Sequence, residues 1–417
     1  MRIRFTLVAV LACLLSLSTL SFSSDVVLVH ARIYTSPTQP PIENGMIVVH
    51  DGRITVVKAW SSNERDRVAK NATEIDCSGR VVTAGFWNSH VHILTPGLLN
   101  ADKAPSEKLS AQLDEMFTRW GFTTVFDIAS VLENTNNIRQ RIKTGAVRGP
   151  RILTVGAPFY PKNGTPVYVK GFLEENHIPS AEVDSAAQAA TRARQQIKDG
   201  ADGVKIFAGA IVAGGVIPMP VEIAKAVVAE AHAAGKPAFA HPTNIEGIEI
   251  SLTSGVDILA HTTLQGGDWP PSLIQKLTNS HTALVPTLTL FDVEGRKEKV
   301  PPEVIDREWM KHLTQEVKAF SDAGGQILFG TDAGYIDQYD TTEEFKLMAR
   351  AMGFQQILAS LTTNPAGRFG YAASSGRIAP GMDADLVVLN GDPAKDVAVF
   401  AKVHQVIRGG RIVYPAH

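Results

Sequence analysis

Two histidines one residue apart, His90 and His92, close an apolar run that begins at Val81. In a β-strand, residues i and i+2 share a face, so the two imidazoles would converge on one point, as a bound cation requires. An isolated H-x-H pair arises by chance in alternating strands. Here four further candidate ligands follow, each set in its own short apolar run. They are Lys205 in Gly203-Val204-Lys205-Ile206-Phe207, His241 after Pro237-Ala238-Phe239-Ala240, His261 after Ile258-Leu259-Ala260, and Asp332 after Ile327-Leu328-Phe329-Gly330-Thr331. Imidazole and carboxylate at short reach suit Zn2+ or a similar divalent ion. Lysine fits less simply, because an ammonium has three donors and no acceptor. The plain structural alternative for Lys205 is an ion pair inside the fold.

Converging ligands need rigid elements beneath them. From about 81 to 373 the chain alternates strand-like and helix-like stretches. After His92, the residues Leu109, Leu113, Phe117 and Trp120 recur at helical spacing. Gly121 ends that helix, residues 122–126 form the next strand, and 151–155 form a third. An alanine-rich helix over about 184–198 precedes the Lys205 strand. A helix over 221–234, stopped by Gly235 as a C-cap, precedes the His241 strand. Residues 245–253 lead to the His261 strand, and 283–288 and 326–330 are the seventh and eighth strands. Pro286 belongs near the end of its strand, since it cannot donate to a ladder. Eight strands alternating with helices predict a (β/α)8 TIM barrel, an α/β fold whose active groups sit at the C-terminal ends of the strands. All of the candidate ligands fall there.

The flanks differ. From 24 to 80, short alternating apolar runs surround an Asp51-Gly52 hairpin signal, and the same style returns from 374 to 417, with Gly409-Gly410 as another turn. Neither flank can bury an apolar face alone, which predicts one small β-sandwich built from both termini. Residues 1–23 have the pattern of a secretory signal peptide: Arg2 and Arg4, an apolar run from Phe5 to about Leu20, then Ser21-Phe22-Ser23. The run is shorter than the ~20 apolar residues a membrane span needs. An exported protein, periplasmic or secreted, is therefore expected, with no stable membrane insertion after cleavage. Only Cys77 would then remain, which excludes an internal disulfide and makes this thiol buried filler. The 417 residues are 44% hydrophobic and 20% charged, an ordinary globular composition. The 40 basic and 42 acidic residues form no basic patch of the kind nucleic acid requires.

The order H-x-H, Lys, His, His, Asp resembles the amidohydrolase superfamily. So do the lead-in Ile75-Asp76-Cys77-Ser78-Gly79-Arg80 and the closing Gly381-Met382-Asp383-Ala384-Asp385-Leu386-Val387-Val388-Leu389. Within it, the sequence is most similar to the imidazolonepropionase-related branch with prolidase-like and Xaa-Arg-type dipeptidases. The resemblance spans nearly all of the chain after the leader. It implies two divalent metal ions, with Zn2+ expected: one on His90, His92 and Asp332, the other on His241 and His261. It also implies that CO2 carboxylates Lys205, and that the resulting carbamate bridges both ions together with a hydroxide. Two cations bring the pKa of water toward neutrality. Asp332 would take the proton from the attacking hydroxide and hand it to the leaving nitrogen. The implied reaction is hydrolysis of an amide C–N bond in a small molecule such as an N-acyl amino acid or dipeptide. Opening of a cyclic amide or imidazolone, deamination, and lactone or ester hydrolysis are alternative uses of the same chemistry. A retired, purely binding barrel would be expected to have lost ligands, and none is missing. The partner expected is a small-molecule substrate, and a homo-oligomer is compatible with the sequence.

Departures from the family pattern fall where substrate would bind. Relatives often carry a Gly-His-Gly stretch after the third strand. Here residues 156–168 lack that histidine and offer Tyr160, Lys162 and Tyr168 instead, which become substrate-binding candidates. After the fifth strand, His241-Pro242-Thr243-Asn244 makes Thr243 and Asn244 candidates too. Asn88 replaces the more usual aspartate before the H-x-H. Asp127, ending the second strand, is expected to be a polar support, and Asp383 and Asp385 to be structural. His177, His232, His281, His312, His404 and His417 belong to loops, helix surfaces or the tail. Asn71-Ala72-Thr73 and Asn163-Gly164-Thr165 are glycosylation sequons.

Overall fold

The computed structural model describes residues 25–65 and 72–415. The leader-like segment, Asn71 and His417 lie outside the described residues.

The two flanks of the chain meet in one eight-stranded sheet. Val26–Ile33 runs antiparallel to Ile42–His50, which turns into Arg53–Ala59. Asp51 and Gly52 make that turn at φ +47° and +74°, the left-handed pair a tight hairpin requires. Val81–Ala84 joins the two ends. It pairs parallel with Val26–Ile33 and antiparallel with Leu386–Leu389, which pairs in turn with Val403–Arg408 and then Arg411–Tyr414. Leu28, Ile33, Ile47, Cys77, Val82, Leu386 and Ile407 share one core from which water is excluded. That core needs residues from both flanks, as the sequence pattern requires. Val81–Ala84 thus belongs to this sheet, and the first barrel strand starts at Phe86. Gly85 separates the two. A Cβ there would lie 2.2 Å from Thr123 Oγ1, so only glycine lets the chain cross at this point.

Seven parallel strands build the barrel: Phe86–Val91, Phe122–Asp127, Arg151–Thr154, Val204–Phe207, Ala238–His241, Ile258–Ala260 and Ala283–Val285. They lie in arcs of three and four. Phe159 links the arcs: its N–H donates to the Lys205 carbonyl and its carbonyl accepts from the Phe207 N–H. The eighth position, 326–330, departs from expectation, because its only ladder pairing is a single bridge from Ile327 to Leu284. It still closes the ring. Leu328 N–H donates to the Leu284 carbonyl on one side, and Ser89 N–H donates to the Phe329 carbonyl on the other. The seventh strand is also shorter than 283–288. Pro286 has no N–H to continue the ladder, and Leu288–Lys297 is helix. Inside the barrel, Trp87, Phe126, Leu153, Phe239, Ile258 and Leu328 form a buried cluster, one from each of six strand positions.

The surrounding helices carry one apolar face each. Ser106–Met116 buries Leu109, Leu113 and Met116, a short turn over Thr118–Trp120 follows, and Gly121 ends it at φ +91°. Ala186–Lys198 starts under the Ser185 hydroxyl, which accepts from Gln188 N–H. Val221–Ala233 buries Ile223, Ala224, Val227, Val228 and Ala231. Among the described residues, no helix is long and apolar enough to cross a membrane.

Candidate active site

Asp332 is where the strand ends converge. His90 Nε2 lies 3.2 Å and His92 Nε2 2.8 Å from its Oδ1, and His261 Nε2 lies 3.9 Å from its Oδ2. Candidate ligand atoms of His90, His261 and Asp332 fall within 4.8 Å of one another. The imidazoles continue outward: the His90 and His261 ring centres are 4.5 Å apart, and those of His261 and His241 4.8 Å apart. His241 stacks on Phe207 at 4.6 Å, and Lys205 Nζ sits 5.2 Å from that phenyl centre. The structure therefore gathers all the predicted ligands at one end of the barrel.

The backbone is bent to aim them. His261 and Asp332 adopt left-handed conformations at φ +99° and +61°. For non-glycine residues each such conformation costs on the order of 1–3 kcal/mol and persists only where neighbours fix it. Here His261 N–H donates to the Val285 carbonyl and Asp332 N–H to the His90 carbonyl, both at 2.9 Å. Gly334 lets the loop after Asp332 pass the first strand, since a Cβ there would lie 2.0 Å from the His92 carbonyl oxygen.

The donor set fits divalent cations. His92 Nδ1 lies 2.9 Å from the Ala129 carbonyl oxygen, which can only accept. Nδ1 therefore carries a hydrogen, and Nε2 is the nitrogen that faces the Asp332 carboxylate. At 2.8 Å the two atoms share either a proton or a cation held between them. His261 Nδ1 lies 2.7 Å from Thr287 Oγ1, and that hydroxyl spends its own hydrogen on the Pro286 carbonyl. Its Nε2 is freed in the same way. His90 is fully buried; its Nε2 faces Asp332, and among the described residues its Nδ1 has no hydrogen-bond partner. Burial pushes His90 down to about 3 and holds His241 and His261 well below the usual imidazole range. All three are thus neutral, the form that ligates a metal.

Lys205 is 2% exposed. Burial lowers its ammonium to about 8, although the charges of Asp332 and Asp127 work the other way. Among the described residues no carboxylate oxygen lies within 4.0 Å of its Nζ. Asp127 is a hub. It accepts from Ser130, from Thr154 Oγ1 at 2.7 Å, from Thr135 Oγ1 at 3.2 Å and from Ile93 N–H at 3.3 Å. Asn88 ties the first strand to the last, donating to Thr331 Oγ1 and accepting from His90 N–H.

The substrate candidates separate. Tyr160 is buried edge-on against Phe207, behind His241. Tyr168 is 37% exposed and packs edge-on against Tyr335 at 5.4 Å. A phenol keeps its proton at neutral pH, so Tyr168 can donate. Lys162 is exposed. Thr243 gives its hydroxyl hydrogen to the Gly209 carbonyl, and the Asn244 side chain accepts from Gly247 N–H as the N-cap of Ile245–Ser254. Those two polar groups are already spent on the backbone. His312 is more than a surface residue: it contacts Asp268, the Thr263 carbonyl and Glu316, which hold it protonated up to about 9.

Three site residues had escaped the sequence. Phe207 shares a strand face with Lys205, a signal that i, i+2 spacing could have supplied. Tyr335 follows Asp332 by one short turn. Thr287, left-handed at φ +49° after Pro286, left no readable trace.

Fold and site together define a (β/α)8 hydrolase with a metal-type ligand cluster at the C-terminal ends of its strands, joined to a β-sandwich domain made from both termini. The chain belongs to the amidohydrolase family, whose family model matches residues 81–413. It is similar to the imidazolonepropionase of Thermoplasma acidophilum, with 24% identity over 89% of this chain and 90% of that protein. The ochratoxinase of Aspergillus niger is 21% identical over 93% of this chain and 87% of its own length. Among solved structures, a Xaa-Pro dipeptidase with bound methionine superposes with a TM-score of 0.79 at 24% identity, over 93% of this chain and 99% of that one.

Proposed function

We propose that this enzyme hydrolyses an amide C–N bond of a small molecule such as an N-acyl amino acid or dipeptide, at a binuclear centre bridged by carboxylated Lys205. Lys205 carries the reading. It is enclosed by histidines and Asp332 and lacks an ion pair among the described residues. A bare ammonium there would repel cations, whereas a carbamate turns the charge negative and adds two acceptor oxygens. When bound, two divalent cations, Zn2+ foremost, would acidify a water and polarise the scissile carbonyl. His90, His92 and Asp332 would hold one, and His241 and His261 the other. Beside the bound cations Asp332 would be ionised, which readies its carboxylate to accept a proton from the attacking water. From there the proton passes to the leaving nitrogen. Tyr168 and Tyr335 offer an aromatic edge with a hydroxyl donor for the substrate.

The likeness to a Xaa-Pro dipeptidase supports a peptide-like substrate, and the likeness to an imidazolonepropionase supports the ring-opening alternative. Metal stoichiometry separates them. Elemental analysis of the purified protein is expected to give two divalent ions per chain. Lys205→Ala is expected to lose metal and activity together, with partial recovery in short-chain carboxylates. One ion at saturation in a fully active enzyme would defeat the binuclear reading and favour ring opening. The leader-like residues 1–23 support export, which cell fractionation would check by whether the protein leaves the cytoplasm.

A further inference from the structure

Two helices of the barrel are capped by the residue that precedes them. The Ser185 hydroxyl accepts from Gln188 N–H, and the Asn244 side chain accepts from Gly247 N–H. Leu288–Lys297 is preceded by Thr287, a residue type that caps well, yet the Thr287 side chain makes no cap hydrogen bond. Its hydroxyl is committed to the site instead. It accepts from His261 Nδ1 at 2.7 Å and donates to the Pro286 carbonyl at 2.8 Å. The cap comes from another element. Glu344, on the helix Thr342–Ala349, reaches the first turn of Leu288–Lys297 with both carboxylate oxygens. Oε1 accepts from Leu288 N–H at 3.0 Å, and Oε2 accepts from Thr289 N–H at 2.7 Å and from Thr289 Oγ1 at 2.8 Å. Glu344 is 1% exposed, and among the described residues it has no ion-pair partner within 4.0 Å.

Burying a carboxylate is costly unless its charge is met, and here only the orphan N–H groups and positive end of a helix meet it. Those same N–H groups are the ones an N-cap threonine would otherwise serve. Left unsatisfied, they would compete for Thr287 Oγ1, and His261 Nδ1 would lose its acceptor. We infer that Glu344 is a positioning residue for the metal site. By occupying the N-terminal donors of Leu288–Lys297, it keeps the Thr287 hydroxyl on His261. It also pins the residues next to Thr287, whose φ of +49° is an unusual conformation for a β-branched side chain and needs neighbours to fix it. The inference rests on the reading of His261 as a metal ligand.

A double-mutant cycle on the purified metallated protein, read by chelator competition, tests it. Glu344→Gln keeps the size and one acceptor oxygen but turns an amide donor toward a backbone N–H. Alone, it is expected to weaken metal retention about tenfold. In a Thr287→Val background there is no hydroxyl left to divert, so the further loss should be less than about twofold. Equal fold-losses in the two backgrounds would overturn the proposal, because a plain structural support would act in both. Unchanged retention in Glu344→Gln would overturn it too. Thr289→Val removes one donor to Glu344 and leaves the carboxylate in place. It should show the same cancellation on a smaller scale, and it carries the cycle if Glu344→Gln does not fold. Nitrogen-15 histidine NMR reads the contact without metal affinity. The His261 Nδ1 hydrogen, identified by its loss in Thr287→Val, should exchange faster with water in Glu344→Gln, and an unchanged signal would defeat the inference. Full metal retention in His261→Asn would instead defeat the reading of His261 as a ligand, and the NMR signal would then decide by itself whether Glu344 keeps Thr287 on His261.

Discussion

Thr287 acts on the site through one hydroxyl. It accepts from His261 Nδ1 and donates to Pro286, and so fixes which imidazole nitrogen faces Asp332. Thr287→Val keeps the shape and the β-branch, so the left-handed backbone is strained no further. The acceptor is lost. Metal affinity or activity is expected to fall about 10–100-fold, the usual cost of removing such a partner, while Thr287→Ser retains most of both. Competition with a chelator would measure it, and equal metal retention in the valine variant would remove Thr287 from this role. Asp332 poses a different question, because it touches the ligands and is the group proposed to move the proton. Asp332→Asn preserves size and one acceptor oxygen but cannot take up a proton. Turnover is expected to fall about 10²–10⁴-fold with the fold intact. Unchanged turnover in a metallated Asn variant would assign the proton transfer elsewhere.

At the level of elements, the ligand set was legible because each ligand ends or sits within a strand, and strand alternation with apolar runs survives in a single sequence. His90, His92, Lys205, His241 and His261 could be placed on that ground alone. The eighth strand was legible as an apolar run but not as a ladder, because only Ile327 makes a regular bridge. The seventh was read too long, since Thr287 and Leu288 have strand-like side chains while the preceding proline cuts the ladder. Thr243 and Asn244 looked like pocket residues by position. Their side chains instead satisfy Gly209 and Gly247, a choice set by loop geometry that spacing does not encode. Glycines mark where elements touch. A Cβ at Gly330 would meet Val285 Cγ1 at 2.3 Å and His90 Cβ at 2.8 Å, whereas Gly171 has nothing within 4 Å. Gly330→Ala must therefore push the last strand off the first and displace His90. Overpacking of this kind costs about 1–3 kcal/mol, so a clear fall in Tm and loss of metal are expected together. Gly171→Ala should do neither. A Gly330→Ala protein with wild-type Tm and metal content would show that the strand contact is not tight.

For the whole molecule, the shared sheet makes the two ends of the chain one cooperative unit. Val403–Arg408 lies between Leu386–Leu389 and Arg411–Tyr414, and Val406 and Ile407 are completely buried. Removing residues 403–417 would uncover the edge of Leu386–Leu389. That strand is the partner of Val81–Ala84, from which the chain enters the barrel. Cys77 is a reporter inside this unit: its side chain is fully enclosed in the same core as Ile407, and burial pushes its thiol up to about 12. A thiol that is both covered and protonated at neutral pH reacts slowly with alkylating reagents. In a Cys13→Ser background, where Cys77 is the one remaining cysteine, the intact chain should be labelled only after denaturant opens the sheet. The chain ending at 402 should be labelled in plain buffer, and should lose bound metal in parallel if the sheet and barrel unfold together. If the shortened chain resists the reagent as well as the intact one does, the N-terminal strands hold their core without the C-terminal ones, and the cooperative union of the two flanks is wrong.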